Sequence, residues 1–157
     1  MRVIQGIWGD VPDRIQLCLD SVRAVYPQVE VFRFQYSDVA IYESDKWRWL
    51  QMLENDNILY IDWDIEIGGA FEFEQNGLPS LMECRGQPDN CLMYSPDRAI
   101  FQAYEDERRQ RGIAFERLAW YRRVMRNKPY NKIDGVNHLR TSGYCALKRC
   151  YRKVNKA

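Results

Sequence analysis

Apolar and polar positions trade places in a regular rhythm over the first 67 residues. Residues 2–8 (RVIQGIW) are a short apolar run of strand type. Gly9-Asp10-Val11-Pro12 interrupt it, and Pro12 suits the first turn of a helix starting near Asp10 or Val11. Ile15, Leu17, Cys18, Leu19, Val22 and Val25 give that helix an apolar stripe, which Tyr26-Pro27 stop. Residues 29–34 (VEVFRF) alternate and predict a second strand. After a connection at 37–42, Ser44 is the expected N-cap of a second helix, with Asp45 in its first turn. That helix carries Trp47, Trp49, Leu50, Met52 and Leu53 and ends near Asn55-Asp56-Asn57. Residues 58–61 (ILYI), β-branched and aromatic, read as a third, buried strand.

Strand, helix, strand, helix, strand is the signature of an α/β fold. It predicts one Rossmann-like domain, a mostly parallel sheet flanked by helices. The texture changes after Gly68-Gly69: residues 71–73 (FEF), 80–84 (SLMEC) and 90–94 (NCLMY) are expected as short strands. Ser95-Pro96-Asp97 opens a helix with Ser95 at the N-cap and Pro96 at the first helical position. It runs to about Gln110, Gly112 ends it, and a further helix is expected over 115–126. From Lys128 onward the pattern is irregular, and there stands the single histidine, His138. Trp47 or Trp49 is expected in the core, with Trp63 open between core and ligand stacking.

Composition narrows the classes. A chain of 157 residues with 46% apolar content can build a core without staples and is not disordered. It has no apolar run of transmembrane length, roughly 18 residues. The start lacks the long apolar segment of a signal peptide, so a cytoplasmic location is expected, with peripheral membrane contact as the alternative. Five cysteines at spacings without C-x-x-C read as free thiols. The net charge of +1 hides an asymmetry. Residues 1–97 hold 7 Lys and Arg against 17 Asp and Glu, a net of −10, and residues 98–157 hold 16 against 5, a net of +11. The basic half is expected either to meet an anionic acceptor, nucleic acid or a phospholipid surface, or to neutralise the acidic half within the fold.

The chemistry concentrates where the third strand ends. Asp62 and Asp64 stand one residue apart behind that apolar run, where α/β sheets gather ligands. On an extended backbone both side chains point the same way. Adjacent carboxylates raise each other's pKa unless a cation lies between them. Hard oxygen ligands suit Mg²⁺ or Mn²⁺, ions that complete their shell with substrate phosphates. An acidic turn at an edge strand is the bland alternative.

Three stretches resemble the D-x-D sugar-binding-region glycosyltransferases, which include yeast-type initiating mannosyltransferases and bacterial capsular sugar transferases. They are Ile4-Gln5-Gly6-Ile7-Trp8-Gly9, Ser44-Asp45-Lys46-Trp47-Arg48-Trp49, and Ile58 to Asp64. Residues 90–103 resemble the family more loosely. The resemblance implies a GT-A fold, with 1–67 as the nucleotide-sugar-binding half and 68–157 as the acceptor half. It implies a hexosyltransferase activity on a UDP- or GDP-sugar donor with Mn²⁺ or Mg²⁺, retention of anomeric configuration, and a glycan or glycolipid acceptor. Carried over, Asp64 is the principal metal ligand. Asp62 shares the metal and touches the donor, Asp45 and Arg48 contact the donor sugar, and Ile7, Trp8 and Gly9 line the nucleotide pocket. His138 is the family-style C-terminal metal ligand. The chain departs from the family at Gln5-Gly6, where a His-Gln is usual, and at Asp56-Asn57, where a Gly-Gly is usual. The rivals are a D-x-D phosphohydrolase and a non-catalytic nucleotide-sugar or nucleic-acid-binding module. For Arg48 the rival is an exposed helix residue paired one turn back with Ser44 or Asp45.

Overall fold

The computed structural model describes residues 1–84, 87–117, 119–133 and 139–141. Its element order is β1 (Arg2–Trp8), α1 (Asp13–Val25), β2 (Glu30–Phe34), α2 (Ala40–Glu54), β3 (Ile58–Ile61), β4 (Ile65–Ile67), β5 (Ser80–Cys84), β6 (Gln87–Ser95), α3 (Arg98–Gln110), α4 (Trp120–Met125), β7 (Asn131–Lys132) and β8 (Leu139–Thr141). Six strands make one sheet in the order β2-β1-β3-β6-β5-β7, and β4 pairs with β8 beside it. β1 is parallel to β2 and to β3, while β6 is antiparallel to both β3 and β5, and β7 is parallel to β5. Five of the six strands therefore run one way, as the alternation of elements requires, and β6 alone is reversed.

Strand periodicity divides the core into two layers. Ile4, Ile58, Tyr60 and Met93 face Trp49 and Met52 of α2, Phe101 and Tyr104 of α3, and Trp120 and Val124 of α4. Val3, Leu59, Ile61, Leu92 and Tyr94 face the other way, toward Val22 of α1 and Ile65 and Ile67 of β4. Gly6 lies on the α2 side. A Cβ there would stand 2.4 Å from the Trp8 ring and 2.7 Å from that of Trp47, so only glycine lets these rings close over β1. Trp8 stacks on Phe34 at 4.4 Å, and Trp47 meets Trp8 edge-on at 5.6 Å. Gln5, on the opposite face, is fully buried, and neither of its amide atoms has a partner among the described residues.

Several boundaries differ from the pattern-based expectation. Pro12 occupies the N-cap of α1 rather than its first turn. Leu17 projects outward, 67% exposed, although it falls within the apolar stripe. Helix α2 starts at Ala40, so Ser44 lies a turn inside it and caps nothing. Residues 71–73 form no strand. The Phe71 amide donates to the Tyr26 hydroxyl at 2.8 Å and Phe73 stacks on Tyr94 at 4.0 Å, so ring packing satisfies the alternating pattern without a ladder. Asp97, not Ser95, caps α3: its carboxylate accepts from the Ala99 amide at 2.8 Å, and Ser95 closes β6. Helix α4 is short because Ala119 before it takes the left-handed conformation (φ 54). Beyond Lys128, β7 and β8 add strands where irregular chain was expected.

Among the described residues, several cations of the basic half are paired within the fold. Glu105 accepts from Arg108 and Arg109, Arg111 and Lys128 pair with Glu107, and Arg122 reaches across to Asp89 at 2.8 Å. Glu105 is the structural hub, because Trp49 Nε1 also donates to it at 3.0 Å and ties α2 to α3. Burial opposes its charge, but hydrogen bonds from Arg108, Arg109 and Trp49 hold its pKa down at about 2 against 4.5. An acid with a depressed folded pKa stabilises the fold above its unfolded pKa, and that stability is lost as pH falls through the folded one. The Glu105 contribution is therefore complete above about 4.5 and gone by about 2. Glu105→Gln is expected to cost on the order of 3 kcal/mol at neutral pH and to flatten the acid limb of the stability curve. Urea unfolding of both proteins across this window measures it, and an unchanged acid limb would contradict the assignment.

Candidate active site

The site forms where β3 ends. Ile58, Tyr60 and Asp62 share one face by strand parity, so Asp62 points to the same side as α2. The backbone then turns. The Ile65 amide bonds to the Asp62 carbonyl at 3.2 Å, so Asp62-Trp63-Asp64 is a tight turn into β4 and not an extended strand. The two aspartates are neighbours through that turn rather than by strand alternation, which corrects the extended-backbone expectation. Trp63 packs toward Ile7, Ile15 and Leu19, on the α1 side.

Arg48 of α2 sits at the centre, 6% exposed. Its Nη1 donates to the Asn90 carbonyl at 3.0 Å and lies 3.6 Å from Asp62 Oδ2. Its Nη2 donates to the Ser44 hydroxyl and lies 3.7 Å from Asp45 Oδ1. Its guanidinium lies 4.7 Å over the Tyr60 ring. Pairing with Ser44 and Asp45 one turn back is thus present, but in a buried cage and not on an exposed face. Asn90 Nδ2 completes the cage by donating to Asp45 Oδ1 at 2.8 Å, and Tyr60 Oη donates to Asp62 Oδ1 at 2.7 Å.

Burial governs the charges. It opposes the Arg48 charge, but Tyr60, Asp62 and Asp45 raise the guanidinium's pKa well above its usual value. Burial raises Asp45 as well, with Arg48 and Asn90 pulling the other way. Asp64, 6% exposed, is raised from 3.8 to about 7 by burial and then by the neighbouring Asp62. Burial, with Asp62 adding to it, keeps Tyr60 a protonated donor.

The structure therefore brings together Asp45, Arg48, Asp62 and Asp64. Ile7 is fully buried among Ile15 and Leu19, so its side chain offers no surface to a nucleotide. Trp8 is almost buried, and Gly9 turns the chain away at φ +82 with its amide on the Phe34 carbonyl at 3.0 Å. His138 lies outside the described residues. No group of three or more His, Cys, Asp or Glu that could hold an ion occurs among the described residues. An open cleft of about 540 Å³ lined by Phe71, Phe73, Ser80 and Asn131 lies elsewhere, at the end of the sheet where β3 begins.

Tyr60 and Asn90 were not among the candidates read from sequence. Tyr60 carried a signal, since it stands two residues before Asp62 on the same strand face. Asn90 carried none. It arrives because β6 runs antiparallel to β3 and sets residues 90 and 91 against the end of that strand, where the Asp62 amide bonds to the Cys91 carbonyl at 2.7 Å.

No family model and no curated protein matches the chain. Solved structures do. The apo form of the glycosyltransferase GlyE from Streptococcus pneumoniae TIGR4 superposes with a TM-score of 0.50 at 11% identity, covering 85% of this chain and 45% of GlyE. A second GlyE structure gives the same score and identity, with 46% of GlyE covered. A glycosyltransferase involved in glycosylating the major capsid of PBCV-1 matches at 0.47 and 11%, over 83% of this chain and 80% of that one. The chain thus spans less than half of GlyE. At this identity the likeness establishes the fold: a mixed α/β architecture, six strands flanked by helices, shared with GlyE.

Proposed function

We propose that this chain is a metal-dependent glycosyltransferase of GT-A type, similar to the D-x-D sugar-binding-region enzymes. It would take a hexose from a UDP- or GDP-sugar to a glycan or glycolipid acceptor with retention. The observation that carries the reading is the convergence of Asp45, Arg48, Asp62 and Asp64 at the end of β3, in a fold shared with a glycosyltransferase.

Asp62 and Asp64 would supply two of the ligands to a divalent ion. Asp45, Asp62 and Asp64 bring three carboxylates to one guanidinium, a deficit of two positive charges when all are ionised. Asp62 and Asp64 are hard oxygen donors, and the repulsion that raises Asp64 is what a cation relieves. Asp64 would be the principal ligand, Asp62 a partner, and diphosphate and water the rest. Bound there, Mn²⁺ or Mg²⁺ supplies Lewis-acid stabilisation of the charge that builds on the leaving diphosphate.

The chain's own residues do the positioning. Arg48 lies 3.7 Å from Asp45 and 3.6 Å from Asp62 and its donors already face protein groups, so it would act on the donor through those carboxylates. Front-side retention leaves deprotonation of the acceptor to the departing phosphate. The phosphohydrolase reading loses ground, because that class wants its motif on the first strand, and here Asp62 and Asp64 follow β3. An anionic acceptor loses ground too, because Arg108, Arg109, Arg111, Arg122 and Lys128 are held in ion pairs.

Calorimetric titration of UDP and GDP with and without Mn²⁺ tests the reading. One nucleotide is expected to bind, and only with the ion. Asp64 keeps its proton up to about 7 and must shed it to ligate, so affinity for Mn²⁺ is expected to climb as pH rises through about 7. Tight ion-independent binding would remove the metal role, and absence of binding to either nucleotide would remove the donor site.

A further inference from the structure

We propose that Tyr60 is the positioning residue for Asp62, a role that rests on the transferase reading above. Tyr60 is fully buried within β3, and its hydroxyl donates to Asp62 Oδ1 at 2.7 Å. Its ring lies 4.7 Å beneath the Arg48 guanidinium, whose Nη1 is 3.6 Å from the other oxygen, Oδ2. One side chain thus touches the carboxylate directly and supports the cation that faces it. Both Asp62 oxygens thus have a protein neighbour, one through a hydrogen bond and the other through an ion pair, and together these restrain the carboxylate's rotation. A loose aspartate after the turn into β4 would sample several rotamers. The Tyr60–Arg48 platform selects one, so Asp62 stands ready beside Asp64 before any ligand arrives. Residues that orient a ligating carboxylate in this way set affinity without touching the ion. Strand parity is what makes the device possible: the Asp62 amide, bonded to the Cys91 carbonyl, carries the alternation of β3 one residue past its end, so residues 60 and 62 share a face.

Tyr60→Phe removes one hydroxyl and keeps the ring, its packing and the Arg48 contact. The titration with Mn²⁺ and the favoured nucleotide, UDP or GDP, is repeated on wild type, Tyr60→Phe, Asp62→Ala and the double variant. Tyr60→Phe is expected to weaken ion-dependent binding roughly 10- to 100-fold and to add nothing in the Asp62→Ala background. Urea unfolding of the same four proteins without ligand reads the contact itself. There the two substitutions are expected to be coupled by roughly tenfold in the folding equilibrium. Equal loss of affinity in both backgrounds would make Tyr60 merely structural and overturn the proposal. Wild-type affinity in Tyr60→Phe would overturn it while leaving the transferase reading intact. Absence of ion-dependent nucleotide binding in wild type would overturn the transferase reading itself and this proposal with it.

Discussion

Arg48→Met is expected to destabilise the fold by about 3–5 kcal/mol at neutral pH. Methionine fills the volume of the arginine stem and still packs on Tyr60, so the loss is chiefly electrostatic. It leaves Asp45 buried and Asp62 half-buried without the guanidinium 3.7 and 3.6 Å away. The charged form of Asp45, already opposed by burial, then becomes costlier, and its folded pKa moves further up. An acid whose folded pKa is raised above the unfolded value contributes stability below the unfolded pKa and loses it as pH rises through the folded one. The deficit of Arg48→Met is therefore expected to be small in acid and to grow toward neutrality. Asp64, at about 7 against 3.8, already marks that window in the wild type. Urea unfolding near each end of it measures the effect. A deficit equal at both ends would mean that Arg48 acts by packing alone. Arg48→Lys keeps the charge and loses the fork, and is expected to fall between the two.

Asp64→Asn separates function from stability. The substitution keeps shape but removes the anion that an ion requires. Ion-dependent nucleotide affinity is expected to fall by about 100-fold or more, about 2.8 kcal/mol. The same change is expected to stabilise the ligand-free protein above pH 7 by about 1 kcal/mol, because burial and Asp62 both oppose the Asp64 charge. A chain of this length shifts its melting temperature by roughly 2–4 °C for that gain. Calorimetric titration and thermal unfolding on one preparation give both numbers. Lost stability together with lost binding would mark Asp64 as a structural carboxylate.

Reading along the chain located most elements but not their ends. Helix α2 shows why. Ser44 before Asp45 has cap chemistry, yet the helix begins four residues earlier, and the Ser44 hydroxyl is turned inward to Arg48. A cap is a local preference of about 1 kcal/mol, and inward contacts of Ala40, Ser44 and Arg48 outweigh it. Phe71 and Phe73 make the same point from the other side. Their alternation was correct as a statement about facing, but the segment joins no ladder among the described residues: the rings pack and the backbone stays irregular.

Sequence alone determined the alternating α/β order, the buried β3 and the position of Asp62 and Asp64 behind it. These follow from periodicity and propensity, which act within a few residues. Tertiary structure decided that Asp62 and Asp64 meet through a turn, that Arg48 is a buried cage centre rather than a surface residue, and that Glu105 absorbs Arg108 and Arg109. It alone brought Asn90 to Asp45 across 45 residues. The reversal of β6 and the burial that raises Asp64 to about 7 depend on which segments end side by side. Long-range pairing sets both, and no window of local sequence contains it.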